Sequence, residues 1–279
     1  MPRTRPFARV DVFGSQPYRG NPLAVIVDAD GLNDEQMQRV ALWTNLSETS
    51  FVLPPTTSAA DYRVRIFTPS RELPFAGHPT LGTAHARLEH GGVPRADDGV
   101  VQECAAGIIE VRRAEAGPAF AAPPIVREGP VDESDLRITC EGLGIGREAV
   151  VSHQWVDNGP GWLAIRLASA DDVLALEPDW SRLRGYKLGL VGFHPTGSEA
   201  LYETRAPVGD PAVEDPVTGS LNASIAQWLI GTGEAPQRYT ATRGSRVGRE
   251  GVVTIDGDDD GAVWVGGATT TPVRGTISL

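Results

Sequence analysis

The sequence predicts a sheet-rich α+β fold, and three observations predict it. Short β-branched runs outnumber stretches with helical spacing. The 32 glycines and 22 prolines among 279 residues interrupt the chain too often for many long helices. A Glu-x-Pro-x-x-Gly turn leading into a helical stretch occurs twice, at Glu72, Pro74 and Gly77 and again at Glu214, Pro216 and Gly219. The offset of 142 residues is constant and close to half the chain, which suggests two related halves.

Residues 8–13 and 23–27 read as strands separated by the turn SQPYRGNP. Residues 33–45 have an acidic first turn and place Met37, Val40, Ala41 and Trp43 at three- and four-residue spacing, as an amphipathic helix does. NLSETSFVL then leaves that helix, passes through Glu48 and enters a strand, so Glu48 stands at a junction. A strand over 62–67, a helix over 80–89 and a strand over 107–112 follow. The proline-rich passage 117–130 is the expected linker, because proline removes ladder donors and helix continuity together. Beyond it come a short helix over 134–144, strands over 161–167 and 191–194, a helix over 222–230 and β runs around Val252, Val263 and Ile277. The acidic run DGDDDG at 256–261 lacks the later glutamate of a calcium loop and reads as a hairpin tip. The expected domains are 1–120 and 121–271, with 272–279 a candidate to return to the first.

With 25 basic and 36 acidic side chains the formal charge is -11, which excludes a nucleic-acid or anionic-membrane footprint. A small anion remains compatible, since local backbone donors outweigh a distant net charge. Cys104 and Cys140 form no CxxC or Cys/His cluster and are read as reduced thiols, without disulfide or zinc. His78 and His85 lie seven residues apart, but no further ligand completes a metal site, so none is expected. No apolar run has secretory or membrane-spanning length, and the cytoplasm is the expected compartment.

The duplicated turn is the first functional pointer. A helix opening just after a glycine leaves unpaired N–H groups and partial positive charge at its mouth, a ready anion site. The residue following each glycine is His78 in the first half and Ser220 in the second. The alternative from the residues alone is a pair of ordinary turns in a duplicated fold.

NLSETSFVL, RIFTPSRELPFAGHPTLGTA, VEDPVTGSLNAS and DVFGSQPYRGNPLAVIVDA, in their order along the chain, resemble the PhzF-like family of phenazine biosynthesis. The resemblance implies a diaminopimelate epimerase-like fold: two pseudo-symmetric domains, each a sheet wrapped round a central helix, with the active site between them. It implies a cofactor-independent isomerase, most like 2,3-dihydro-3-hydroxyanthranilate isomerase, acting on a small carboxylated substrate, and a homodimer. The epimerase relatives carry a cysteine at each post-turn position; here those positions hold His78 and Ser220, so a two-thiol racemase is not expected. Carried over residue by residue, Glu48 matches the catalytic carboxylate, with His78 and Asp215 in support and Ser47, Gly77, Gly219 and Ser220 on the substrate. An epimerase or dehydratase on the same fold, or a non-catalytic small-molecule-binding protein, is the alternative.

These residues suit that chemistry. One carboxylate can move a proton between two atoms on the same face of a substrate when burial raises its pKa toward the working pH. His78 beside a helix N-terminus is expected to be neutral because the dipole disfavours a cation. Asp215 is expected to orient it or bind an amino group, and is otherwise a helix cap. The segment RIFTP (65–69) has a weaker echo in ETRAP (203–207), at an offset of 138. Two positions depart from the family pattern, Ala206 in TRAP and Glu250 after Gly248 and Arg249, and both bear on pocket shape more than on the acid/base residue.

Overall fold

In the computed structural model, which describes residues 3–258 and 260–279, neighbouring strands pair in two successive runs. The first starts with β1 (Thr4–Val12) antiparallel to β2 (Asn21–Ile26). Helix α1 (Asp34–Thr44) carries the chain across so that β3 (Thr49–Leu53) lies parallel to β2, the connection a parallel pair requires. β4 (Tyr62–Phe67) folds back on β3, and β5 (Glu72–Leu73) folds back on β4. Helix α2 (Gly77–Glu89) follows, after which β6 (Gly99–Cys104) returns parallel to β4. A meander through β7 (Gly107–Ala114) and β8 (Gly117–Ala121) completes the run. α2 packs on β1, β2, β3, β6, β7 and β8, so it is the helix that these strands enclose.

The second run opens with β9 (Arg127–Gly129) and α3 (Glu133–Leu143). Next come β10 (Ser152–Asp157), β11 (Trp162–Arg166), α4 (Ala170–Ala175), β12 (Lys187–Phe193) and β13 (Tyr202–Arg205). After β14 (Pro207–Val208) and β15 (Val213–Glu214), helix α5 (Gly219–Gly231) leads to β16 (Arg238–Arg243), β17 (Gly251–Gly257) and β18 (Val263–Gly266). The pairings of the first run recur in order: antiparallel β10 and β11, parallel β11 and β12, antiparallel β12 and β13, parallel β13 and β16, antiparallel β16 and β17. Finally β19 (Thr269–Ser278) pairs with β1. By internal contacts one unit runs to Ala121 and takes up Gly266–Leu279, and the other is Ala122–Val265.

The repeat reaches individual side chains. Asp11 Oδ2 accepts from Gly20 N (2.9 Å) in the β1–β2 turn, and Asp157 Oδ1 accepts from Gly159 N (2.7 Å) and Gly161 N (2.6 Å) in the β10–β11 turn. Tyr62 and Tyr202 are both buried. Arg65 makes a two-bond pair with Glu72, and Arg205 makes the same pair with Glu214. These matches set the offset of this segment at 140, not the 138 expected from RIFTP and ETRAP. At 138 Arg65 would answer to Glu203, but it is Arg205 that grips the equivalent glutamate.

Several element expectations are corrected. Met37, Val40 and Ala41 are buried on α1, whereas Trp43 is 77% exposed. At about 100° per residue Trp43 falls roughly 120° from Met37, off the buried stripe. The passage 117–130 is only part loop, because β8 and β9 occupy both ends of it. Both turn helices begin at their glycine rather than three residues later. Neither Gly77 nor Gly219 has a left-handed φ, so conformational freedom is not what glycine supplies there. In the acidic run Asp259 lies outside the described residues; beside it Asp258 accepts from Ala262 N (2.8 Å) and closes the turn. Among the described residues no helix is long and apolar enough to cross a membrane.

Candidate functional site

Glu48 is set by the end of α1. Asn45 takes a left-handed φ of 53° as the C-cap and ends the helix. Thr44 Oγ1 then bonds Ala41 O (2.9 Å) and Thr49 Oγ1 (2.8 Å), drawing the turn tight. Ser47 is exposed on this turn, and the Glu48 side chain is 14% exposed.

His78 is the second residue of α2, and its side chain is 5% exposed. Asn21, fully buried at the start of β2, donates through Nδ2 toward His78 Nδ1 at 3.4 Å. With Nδ1 accepting, the ring proton sits on Nε2. That nitrogen lies 3.4 Å from Glu48 Oε2, longer than an ordinary hydrogen bond. Burial depresses the imidazole pKa from 6.5 to about 3. The nearby carboxylate favours the cation, but loss of solvent decides the sign. The pair is therefore a neutral imidazole N–H facing a carboxylate. Neutrality was expected from the helix dipole; burial is its cause.

Sequence reasoning missed Asn21. It lies inside the quoted GNPLAV, but nothing local marks an asparagine that will meet a ring 57 residues on.

In the other unit, Ser220 is the second residue of α5. Its Oγ accepts from Trp162 Nε1 (3.1 Å), and its carbonyl accepts from Asn158 Nδ2 (2.9 Å). Asp215 follows β15. Its N–H donates to Ala206 O (3.1 Å), and Arg243 Nη2 donates to its carbonyl (2.6 Å) while standing 4.0 Å from its carboxylate Oδ1. The N-cap of α5 is Thr218, so Asp215 is not the helix cap. Neither Ala76 nor Thr218 caps its helix with a side chain, so no side-chain cap competes with an anion at the first turn of α2 or α5. Ala206, a departure from the family pattern, is fully buried between β13 and β14.

The structure thus brings Glu48 together with His78, and Ser220 together with Trp162 and Asn158. A carboxylate beside a neutral imidazole can pass a proton; a helix mouth with a serine hydroxyl can hold an anion.

Comparison with known proteins agrees with the motifs. A family model described as phenazine biosynthesis-like protein (PhzC-PhzF) matches residues 10–275. Antisense-enhancing sequence 1 of Schizosaccharomyces pombe is 34% identical, with 96% of this chain and 97% of that protein covered. Trans-2,3-dihydro-3-hydroxyanthranilate isomerase of Pseudomonas chlororaphis is also 34% identical, with 97% of this chain and 98% of that protein covered. Among solved structures, a Bacillus anthracis phenazine biosynthesis protein of the PhzF family superposes with a TM-score of 0.86 at 21% identity, covering 99% of this chain and all of that one. The shared fold is the diaminopimelate epimerase-like α+β fold expected from the sequence.

Proposed function

The chain belongs to the phenazine biosynthesis-like (PhzC-PhzF) family and is an isomerase, and from that premise we propose a cofactor-independent proton shift on a small carboxylated substrate with Glu48 as the acid/base. A cyclic amino or hydroxy acid like 2,3-dihydro-3-hydroxyanthranilate is the substrate class. Glu48 takes a proton from an acidic C–H, the electron pair moves into the conjugated system, and the same carboxyl group returns the proton to a second carbon. Atoms and electrons balance without an oxidant, because only the position of one hydrogen changes.

The observation that carries this reading is the 3.4 Å approach of Glu48 to a buried, neutral His78. The Nε2–H faces the carboxylate and stabilises it before the proton is taken and after it is returned, and Asn21 fixes the ring's tautomer. Asp215 takes the substrate's amino or hydroxyl group, while Ser47, Ser220 and the backbone at Gly77 and Gly219 hold its polar ends. We assign the reaction to the cytoplasm and to a homodimer on family membership.

Replacing Glu48 by Gln removes the proton acceptor and keeps the shape. Turnover is expected to fall by about 10²–10⁴-fold, together with loss of solvent deuterium from the product. Wild-type turnover in Glu48→Gln sinks the assignment.

A further inference from the structure

The two runs share their ladder registers, so positions can be matched between them one by one. Phe67 faces Glu72 where β4 meets β5, and Pro207 faces Glu214 where β14 meets β15. Glu72 therefore answers to Glu214, Leu73 to Asp215 and Pro74 to Pro216. On the parallel side Tyr62 pairs with Gln102 and Tyr202 with Ala241, so two residues further along the strand Cys104 answers to Arg243. Where the first run has a leucine and a cysteine, the second has an aspartate and an arginine.

The arginine takes over a backbone task. In the first run the carbonyl of Pro74 accepts from the N–H of Ala106 (3.1 Å), two residues past Cys104. In the second the carbonyl of Pro216 accepts from Arg243 Nε (3.2 Å), and Nη2 of the same guanidinium donates to Asp215 O (2.6 Å). The N–H of Asp215 donates to Ala206 O (3.1 Å), and the proline that follows restricts its backbone further. Asp215 is thus held on both sides of its α-carbon. Its carboxylate Oδ1 stands 4.0 Å from Arg243 Nη2; the aspartate side chain is 23% exposed and the arginine side chain 1%.

The fold does not require a cation at this strand position, since Cys104 fills it in the first run. A buried guanidinium is costly unless counter-charges surround it. Asp215, Glu214 and Glu203 supply them, and Arg205 opposes. Glu214 is committed to Arg205, and burial favours the neutral form of Glu203, so Asp215 is the carboxylate matched to Arg243. The acid and the base were exchanged into the second run as a pair.

We infer that Arg243 is the positioning residue for Asp215: by clasping the carbonyls of Asp215 and Pro216 it fixes the turn leading into α5 and aims the carboxylate, and so sets how strongly the site prefers a ligand with an amino group. The part of Asp215 as partner of that amino group rests on the function proposed above.

The probes are 2-aminobenzoate and benzoate, which share ring and carboxylate and differ in the amine. Calorimetry on the full chain compares wild type, Asp215→Leu, Arg243→Cys, Arg243→Lys and the double variant Asp215→Leu with Arg243→Cys. The wild type is expected to favour 2-aminobenzoate by about tenfold or more, as a hydrogen bond to a charged group does, and Asp215→Leu to lose that preference. Arg243→Cys is expected to lose most of it with benzoate unaffected. Arg243→Lys should keep part, because an ammonium restores the charge without the fork. In the Asp215→Leu background Arg243→Cys should change the preference no further. An arginine that only supports the fold would weaken both probes together. The double variant leaves neither charge of the pair buried alone and should melt above Asp215→Leu. Equal weakening of both probes, a preference intact in Arg243→Cys, a further loss of preference in the double variant, a double variant that melts no higher than Asp215→Leu, or a wild type without preference overturns the assignment. If Arg243→Cys does not fold, Arg243→Lys carries the same comparison of probes. These readouts need no turnover, so full turnover in Glu48→Gln would remove the isomerase reading and leave the arginine result standing.

Discussion

The duplicated arginine–glutamate pair allows one interaction to be weighed in two settings. Arg205 and Glu214 are 3% and 6% exposed, with bonds of 3.0 and 2.7 Å, and Arg205 Nη1 also donates to the carbonyls of Val173 (3.1 Å) and Leu176 (2.7 Å). Arg65 and Glu72 make the same pair at 2.7 and 2.5 Å but are 23% and 36% exposed, with Asp34 as a second carboxylate on Arg65 at 2.7 Å. Truncating Glu214 to Ala leaves a guanidinium buried without its counter-charge, which costs about 3–5 kcal/mol. The two carbonyl acceptors favour the lower end. Truncating Glu72 leaves a cation that keeps Asp34 and water, for a loss of roughly 1 kcal/mol or less. Urea unfolding is the assay. Five of the six tryptophans lie in the unit that holds Glu214, so fluorescence reports that unit, and far-UV dichroism serves for Glu72→Ala. Converting both partners of the buried pair to apolar residues, Arg205→Met with Glu214→Leu, should recover much of the loss. Equal costs for Glu214→Ala and Glu72→Ala would refute the reasoning.

His78 gives a pH signature. Its pKa is lowered from 6.5 to about 3 in the folded chain, so between those values the unfolded state binds a proton that the folded state does not. Stability therefore falls as pH drops from 6.5, by up to about 1.4 kcal/mol per pH unit, and His78→Asn should flatten that part of a melting-temperature profile. For the same reason imidazole protonation should not produce an acid limb in turnover near pH 6.5; a limb there that disappears in His78→Asn would contradict a neutral ring. Gly192 lies on β12, where an added Cβ would stand 2.0 Å from the backbone oxygen of Ser169, the N-cap of α4. Gly192→Ala should cost about 1–3 kcal/mol in urea melts, and no loss would mean that the strand and the cap are free to separate.

What was legible in the sequence follows from where the physics is local. The α1 boundaries were readable because Asn33 and Gln36 form a capping box and Asn45 ends the helix, all within thirteen residues. β4 was readable because YRVRIF alternates buried and half-buried positions. β6, β13 and β16 escaped because each buries a polar residue that is satisfied by distant partners. Gln102 bonds Tyr62 and Thr80, Arg205 bonds Glu214, and Arg243 bonds Asp215 and Pro216. A buried glutamine reads as a surface residue until its partners are known. The same limit applies at the site. Glu48, His78 and Ser220 could be found from motif and offset, whereas Asn21, Trp162 and Asn158 act across strand registers that no short window contains.

Those registers also separate what the duplication keeps from what it changes. The turn aspartates Asp11 and Asp157, the buried Tyr62 and Tyr202 and the two arginine–glutamate pairs are the same in both runs, and each serves to hold a turn or a strand in place. The changes fall at the helix mouths and at the strand position beside them. Where the first run has histidine on α2, with glutamate before β3, the second has serine on α5. A buried carboxylate can pass a proton, and a serine hydroxyl at a helix mouth can hold an anion without doing so. A racemase that removes a proton from one face and delivers one to the other needs a base in each half. Ser220 stands at the second post-turn position in place of a base, so the proposed reaction rests on Glu48 of the first half alone, a single group moving a proton along one face.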